Sequence, residues 1–407
     1  MDHDLTRFAS RASRMKASEI RELLKLLDQP DIISFAGGIP DAALFPADDF
    51  ADAYGAALNG VNRAASLQYS PSEGHKGLRA WLVEYMAALG VPCDIDNIVI
   101  TSGSQQALDY LGKLYLSPRD TALVAWPTYL GALQAFSAYE PAYDRLNPMG
   151  NRTAEDYAKA AADAGGRVKF AYVCTDFANP TGETLTQAER ERVLDLADEL
   201  DVAVIEDAAY QALRYDGEGV APMLALEIAR KGHIDATRTL YCGTFSKTLS
   251  PGLRIGWVCG ARDVVSRLVI LKQAGDLHTS TINQAAMDHV ARAVFPRQVE
   301  TLRAAYGARR DRMLAALERE MPEGVRWSRP EGGMFIWVTL PEGIDGAALL
   351  KASVESARVA FVPGQAFHAD GTGANTIRLS FSCATPDMID TGIARLAKLI
   401  KGERERN

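Results

Sequence analysis

The chain has 407 residues, 47% of them apolar, and carries a formal net charge of −8 with a pI of about 5.4. That length exceeds the roughly 100–200 residues of one ordinary domain, and an acidic chain without a Lys/Arg-rich run has no field to hold a phosphate backbone, so nucleic acid is excluded as an expected partner. The opening MDHDLTRFASRASRMKAS lacks the apolar core of a signal peptide, and no later segment approaches the ~18 consecutive apolar residues of a membrane span; the expectation is a cytoplasmic protein without membrane contact.

Residues 1–46 hold an amphipathic segment, SEIRELLKLL, and a loop, IISFAGGIP, expected to pack as a lid with the C-terminal part of the chain. From about Asn97 to Gly260 short apolar runs (NIVIT, TALVAWP, VKFAYVC, VAVIED, TLYCGTF, GWVCG) alternate with segments of helical period. Continuous apolar runs indicate strands covered on both faces, so an α/β domain with a mostly parallel sheet is expected over 47–283. In TLTQAERERVLDLADEL, Thr186 and Glu189 form a capping-box pair, with Val193, Leu194, Ala197 and Leu200 as the buried stripe. Beyond Asn283 the pattern shifts to charged helices (VETLRAAYGARRDRMLAALERE) and then to short strands (GGMFIWVTL, ARVAFVPG, NTIRLSFS), which predicts a smaller α+β domain over 284–407, packed tightly on the first. The five cysteines are odd in number and sit mostly in apolar runs, so they read as reduced core residues; with no CxxC or HExxH and with scattered histidines, no metal site is expected.

In an α/β sheet a ligand lies outside the carboxyl ends of the strands. After NIVIT comes SGSQQAL, whose helix N-terminus, Ser104 hydroxyl and Gln105 amide suit a phosphate, although a plain helix cap would look the same. After VKFAYVC stands Asn179, in a turn rich in Pro and Gly. After VAVIE stands Asp207, with Tyr210 three residues on; a helix cap is the alternative for this acid. After TLYCG come Thr244, Ser246, Lys247 and Arg254, a lysine in an apolar stretch where a solvated one is out of place. A Schiff-base lysine must be able to lose its proton, a carboxylate under a pyridine ring keeps that ring protonated, and Ser, Thr and Arg side chains bind a dianion.

SGSQQAL, the ANPTG motif, Asp207-x-x-Tyr210 and the run from Ser246 to Gly256 occur in the order and spacing of the class I/II aminotransferases of fold type I, which the chain resembles from about Ser18 to its end. The resemblance implies pyridoxal 5′-phosphate (PLP) as cofactor. It implies Lys247 as the Schiff-base lysine, Asp207 at the pyridinium nitrogen, and Asn179 and Tyr210 at the ring's 3′ oxygen. Ser104, Gln105, Thr244, Ser246 and Arg254 are implied at the phosphate and Tyr129, in WPTY, against the ring face; a core tyrosine is the alternative there. Arg378, in NTIRLSFS, matches the arginine that clamps the substrate α-carboxylate, with a structural ion pair as its alternative. Tyr69 matches a tyrosine that reaches the phosphate of a neighbouring subunit, which implies a homodimer with shared sites.

RMKASEIRELLKLL, SFAGGIPDAALFP and AGDLHTS are most similar to the 2-aminoadipate and kynurenine/aminoadipate aminotransferases. That likeness places Gly38 on the substrate side and implies Arg21 as the partner of a side-chain carboxylate, with Arg14 or Lys16 as alternatives. Broad donor specificity with 2-oxoglutarate as acceptor follows. Lys247, once freed, would move the Cα proton as general base, and a second oxo acid would reverse the sequence in ping-pong order. A PLP lyase or decarboxylase would use the same cofactor residues, and a non-enzymatic PLP-binding sensor domain is a further alternative, for which this N-terminus is too short and too weakly basic to supply DNA binding.

Overall fold

The fold is that of a computed structural model, which describes residues 7–15, 31–61 and 63–406. Seven strands form the large sheet: β2 (Ile98–Thr101), β3 (Thr121–Val124), β4 (Ala142–Arg145), β5 (Val168–Cys174), β6 (Ala203–Asp207), β7 (Thr239–Thr244) and β8 (Gly256–Cys259). Their spatial order is β2-β8-β7-β6-β5-β3-β4. Strand β8 is antiparallel to both neighbours, while every other adjacent pair is parallel. The apolar runs are continuous because both faces are covered. On β6, Ala203 and Ile205 join a core with the helices Ser104–Tyr115, Leu130–Ser137 and Arg262–Gly275, whereas Val204 turns to the helices Ala154–Asp163 and Gln187–Leu200.

The helix Gln187–Leu200 begins where its capping box predicts. Thr186 Oγ1 accepts from Glu189 N at 3.3 Å and Glu189 Oε2 accepts from Thr186 N at 2.8 Å. Val193, Leu194 and Ala197 are buried, and Leu200 is half-buried at the end of the stripe. Strand β4, with the sequence AYDR, is a partly exposed edge that carries no apolar run, which is why it goes unread in the sequence.

A second sheet, β12 (Val362–Pro363), β13 (Thr376–Ser380), β10 (Phe335–Thr339) and β9 (Arg326–Trp327), is antiparallel throughout. Near the N-terminus β1 (Ile33–Ser34) pairs in parallel with β11 (Val359–Ala360), so the chain before the large sheet joins the C-terminal core. Between the two cores runs one helix, Thr281–Glu320, with Pro296 inside it. Its Val290 and Val294 belong to the core under the large sheet, and its Leu302, Tyr306 and Met313 to the core of the small one. The change of core falls between Val294 and Leu302, inside an unbroken helix, whereas the sequence pattern shifts near Asn283.

Cys242 and Cys259 are buried and Cys93 and Cys174 half-buried, but Cys383 is exposed, which corrects its reading as a core residue. Among the described residues no helix is long and apolar enough to cross a membrane.

Candidate active site

Because β2, β3, β5, β6 and β7 run the same way, their carboxyl ends share one edge, and the reversed β8 starts on it. Side chains from all of these ends line a cavity of about 120 Å³: Ser104, Gln105, Tyr129, Cys174, Asn179, Asp207, Ala209, Tyr210, Thr244, Ser246, Lys247, Pro251 and Arg254. Ten of the residues singled out in the sequence are thereby brought together.

At one end of the cavity is a cup for an anion. Gly103 turns the chain with φ +82° into the helix Ser104–Tyr115, whose first N–H groups lack intrahelical acceptors. A Cβ on Gly103 would overlap the Arg254 guanidinium, so glycine is needed for both conformation and space. Thr244 Oγ1 donates to Ser246 Oγ at 2.9 Å and Arg254 Nη1 donates to Ser246 Oγ at 3.3 Å. The Gln105 side chain differs from its expected role: its Nε2 donates to Gly131 O at 2.6 Å and its Oε1 accepts from Tyr129 at 3.5 Å. Gln105 therefore buttresses Tyr129, and what it offers the cup is its main-chain N–H.

Lys247 follows directly from the cup. Its Nζ donates to Gly38 O at 3.0 Å and lies 5.7 Å from the Tyr210 ring centroid. Burial, then the nearby Arg378 and Arg254 charges, bring its pKa down to about 8, against the opposing pull of Asp207. An amine so placed is readily neutral and nucleophilic.

Asp207 ends β6 and no helix follows it, so it is not a helix cap. Its Oδ2 accepts from Tyr172 OH at 2.7 Å, and its Oδ1 is buried with no hydrogen-bond partner. Burial pushes its pKa up to about 6, against the Tyr172 hydrogen bond, the Ala209 N–H and the Lys247 charge, which favour the charged form. Tyr172 was not legible as a functional residue in VKFAYVC. The available signal was its position two residues before Cys174, which pairs with Asp207 and so shares its face of the sheet.

Arg378, in β13, is 2% exposed. Its Nη1 donates to Asn179 Oδ1 at 2.7 Å and its Nη2 to Ala36 O at 2.8 Å, while its Nε is buried without a partner. Its guanidinium carbon lies 4.2 Å from the Phe335 ring centroid and 5.1 Å from that of Phe367. Burial lowers its pKa to about 10. No carboxylate pairs with it among the described residues, so the structural ion pair is not what holds it there. A buried guanidinium in this state is poised for a carboxylate. Gly38 stands beside it: a Cβ there would sit 3.0 Å from Phe335 Cζ and 3.7 Å from Arg378 Nη2.

Tyr69 stays apart. It is 77% exposed, stacked edge-on against His278 at 5.7 Å, and does not line the cavity of its own chain. Arg21 and Lys16 lie outside the described residues, and Arg14 donates to Pro141 O at 3.2 Å.

The model of the family "Aminotransferase class I and II" matches residues 46–396, so the chain belongs to that family. It is 41% identical to aromatic-amino-acid aminotransferase 1 of Thermococcus litoralis, over 98% of this chain and 95% of that one. It superposes on the kynurenine aminotransferase of Pyrococcus horikoshii with TM-score 0.89 and 41% identity, covering 98% of each chain. It likewise superposes on the alpha-aminoadipate aminotransferase of Thermus thermophilus, bound to N-(5'-phosphopyridoxyl)-L-leucine, with TM-score 0.87 and 36% identity, covering 99% of each. The protein is a PLP-dependent aminotransferase of fold type I.

The cavity fits that cofactor on its own terms. The orphaned Asp207 Oδ1 is an acceptor for a ring N–H, the cup around Arg254 suits a dianion, and a deprotonatable amine lines the same cavity.

Proposed function

We propose that the enzyme transaminates 2-aminoadipate-like amino acids, admits apolar and aromatic donors as well, uses 2-oxoglutarate as acceptor, and works as a cytoplasmic homodimer. The single observation that carries the chemistry is the buried Lys247 amine, with a pKa near 8, standing in one cavity with an orphaned carboxylate oxygen and beside an unpaired guanidinium. The donor class is supported by the names of the relatives, which span aminoadipate, kynurenine and aromatic amino acids.

When bound, PLP supplies an electron sink for the bond lost at the substrate Cα. The chain's residues do the rest. Arg378 takes the α-carboxylate in its planar fork, with Asn179 Oδ1 and Ala36 O fixing its plane and Phe335 and Phe367 excluding water. Gly38 leaves the space that carboxylate needs. Lys247, whose Nζ reaches Gly38 O at 3.0 Å and loses its proton readily, would hold the cofactor through its amine and would serve as the general base for the Cα proton. Asp207, aligned by Tyr172, would hold a pyridinium N–H on its free Oδ1 and so keep that ring protonated, Tyr210 and Asn179 would donate to the ring oxygen, and Tyr129 would pack on the ring. Ser104, Gln105 through its N–H, Thr244, Ser246 and Arg254 would bind the phosphate, and the exposed Tyr69 would reach the phosphate of a second copy.

The test is a donor half-reaction without acceptor. One equivalent of 2-oxo acid per site is expected, and continued release of product would identify a lyase instead. Lys247→Ala should fold, give no borohydride-trappable pyridoxyl adduct and release no oxo acid. For the donor class, Arg21→Ala should lower kcat/KM for 2-aminoadipate by about 2–5 kcal/mol in transition-state terms and spare leucine; an equal loss for both would remove Arg21 from side-chain recognition.

A further inference from the structure

Behind the anion cup lies a polar cluster that the chemistry above does not use. Lys272, in the last turn of the helix Arg262–Gly275, is 0% exposed, yet it has no task in the cavity. A buried ammonium is costly unless paired and hydrogen-bonded, so its partners identify what it serves. Its Nζ donates to Asp276 Oδ1 and Oδ2 at 2.9 and 3.0 Å and to Gln106 Oε1 at 2.9 Å. Gln106 Oε1 also accepts from Ser102 N at 2.8 Å, and Gln106 Nε2 donates to Asp276 Oδ2 at 2.8 Å. Ser102 Oγ donates to the same Asp276 Oδ2 at 2.9 Å.

Two features of this arrangement matter. The Gln106 amide meets two donors on its oxygen and an acceptor on its nitrogen, so a flip would break all three bonds. Ser102 is gripped by both its N–H and its hydroxyl, and the next residue is Gly103, whose φ of +82° opens the cup. The Lys272 ammonium spends its hydrogen bonds on Gln106 and Asp276, so it does not act as a phosphate ligand.

We infer that Lys272, Asp276 and Gln106 form a positioning clamp that holds the Ser102–Gly103–Ser104 turn in the conformation that presents the helix N-terminus to the cofactor's phosphate. The clamp rests on the reading of Ser104, Ser246 and Arg254 as the phosphate cup. It acts through the turn, so its loss is felt by a ligand that carries the phosphate and not by one that lacks it.

The experiment compares the affinity of the apoenzyme for PLP and for pyridoxal, which has the same ring and aldehyde but no phosphate, by the absorbance change on binding. Lys272→Met and Asp276→Asn should weaken PLP binding about ten- to hundredfold, the loss typical of removing one partner from a charge-assisted hydrogen bond, and leave pyridoxal binding unchanged. Lys272→Arg should recover part of the loss. Gln106→Met leaves the ion pair in place and should show the same selective loss if either charge variant fails to fold. Equal weakening of both ligands, or no weakening of PLP, overturns the clamp. Arg254→Met serves as the control: if it too leaves PLP affinity intact, the cup reading has failed and not the clamp alone.

Discussion

A carboxylate that would ordinarily titrate near 3.8 is pushed up to about 6 at Asp207 because the group is buried. The folded apoenzyme therefore holds that proton more tightly than the unfolded chain, and stability is lost as pH rises from 3.8 through about 6. The gap corresponds to about 3 kcal/mol. Asp207→Asn should accordingly stabilise the apoenzyme toward urea at pH 8, less so at pH 5, while transamination falls by about 10²–10⁴ because the ring is no longer kept protonated. A destabilised variant at pH 8 would mean that Asp207 is satisfied by a partner. Arg378→Met belongs to the same scale. If the fork meets the α-carboxylate that all donors share, as proposed, kcat/KM should fall about 10²–10³-fold for 2-aminoadipate and leucine alike. A loss confined to acidic donors would move Arg378 from the α-carboxylate to the side chain. Lys247, Asp207 and Arg378 were legible because a charged residue in an apolar run must have a reason to be there. Tyr172 was not, since a tyrosine fits such a run and its purpose depends on a neighbouring strand.

Local turns set the site as firmly as its charges. Gly103 and Gly55 make a useful pair, since one stands at φ +82° against Arg254 and the other in the helix Ala47–Asn59 with nothing within 4 Å of a Cβ. Gly103→Ala forces an L-residue into left-handed backbone, at about 1–2 kcal/mol, and displaces the guanidinium; PLP retention on gel filtration should drop at least about tenfold. Gly55→Ala should instead raise stability by about 0.5–1 kcal/mol in urea titration, with PLP retention untouched. Equal behaviour of the two would make Gly103 an ordinary turn glycine. At this scale the sequence was most readable where a local rule acts, as in the Thr186 capping box and the runs that became β5, β6 and β7. It was least readable where the partner is remote: the edge strand β4 has no run of its own, and the pairing of Ile33 with Val359 joins segments more than 300 residues apart.

For the whole molecule, the helix Thr281–Glu320 decides how the parts behave together. Forty residues span about 60 Å. Since Val294 serves one core and Leu302 the other, neither core can melt without stripping the helix from its neighbour. Calorimetry of the apoenzyme should give one transition with matching calorimetric and van't Hoff enthalpies; two resolved peaks would show the cores to be independent. The pattern shift near Asn283 was visible in the sequence, but the sharing of one helix was not, because its Thr281–Phe295 part carries no period that distinguishes it from a surface helix.

The same helix is also a lever. Pro296 lacks the N–H that would tie it to the preceding turn, so bending is easiest there, at the handover between the cores. The arm beyond it, about 36 Å long, converts a bend of about 5° into a sweep of about 3 Å at its far end. That arm packs in the same core as β10 and β13, which carry Phe335 and Arg378. A bend at Pro296 would thus move Phe335 and Arg378 with the arm, as one packed unit, relative to the core that Val290 and Val294 join.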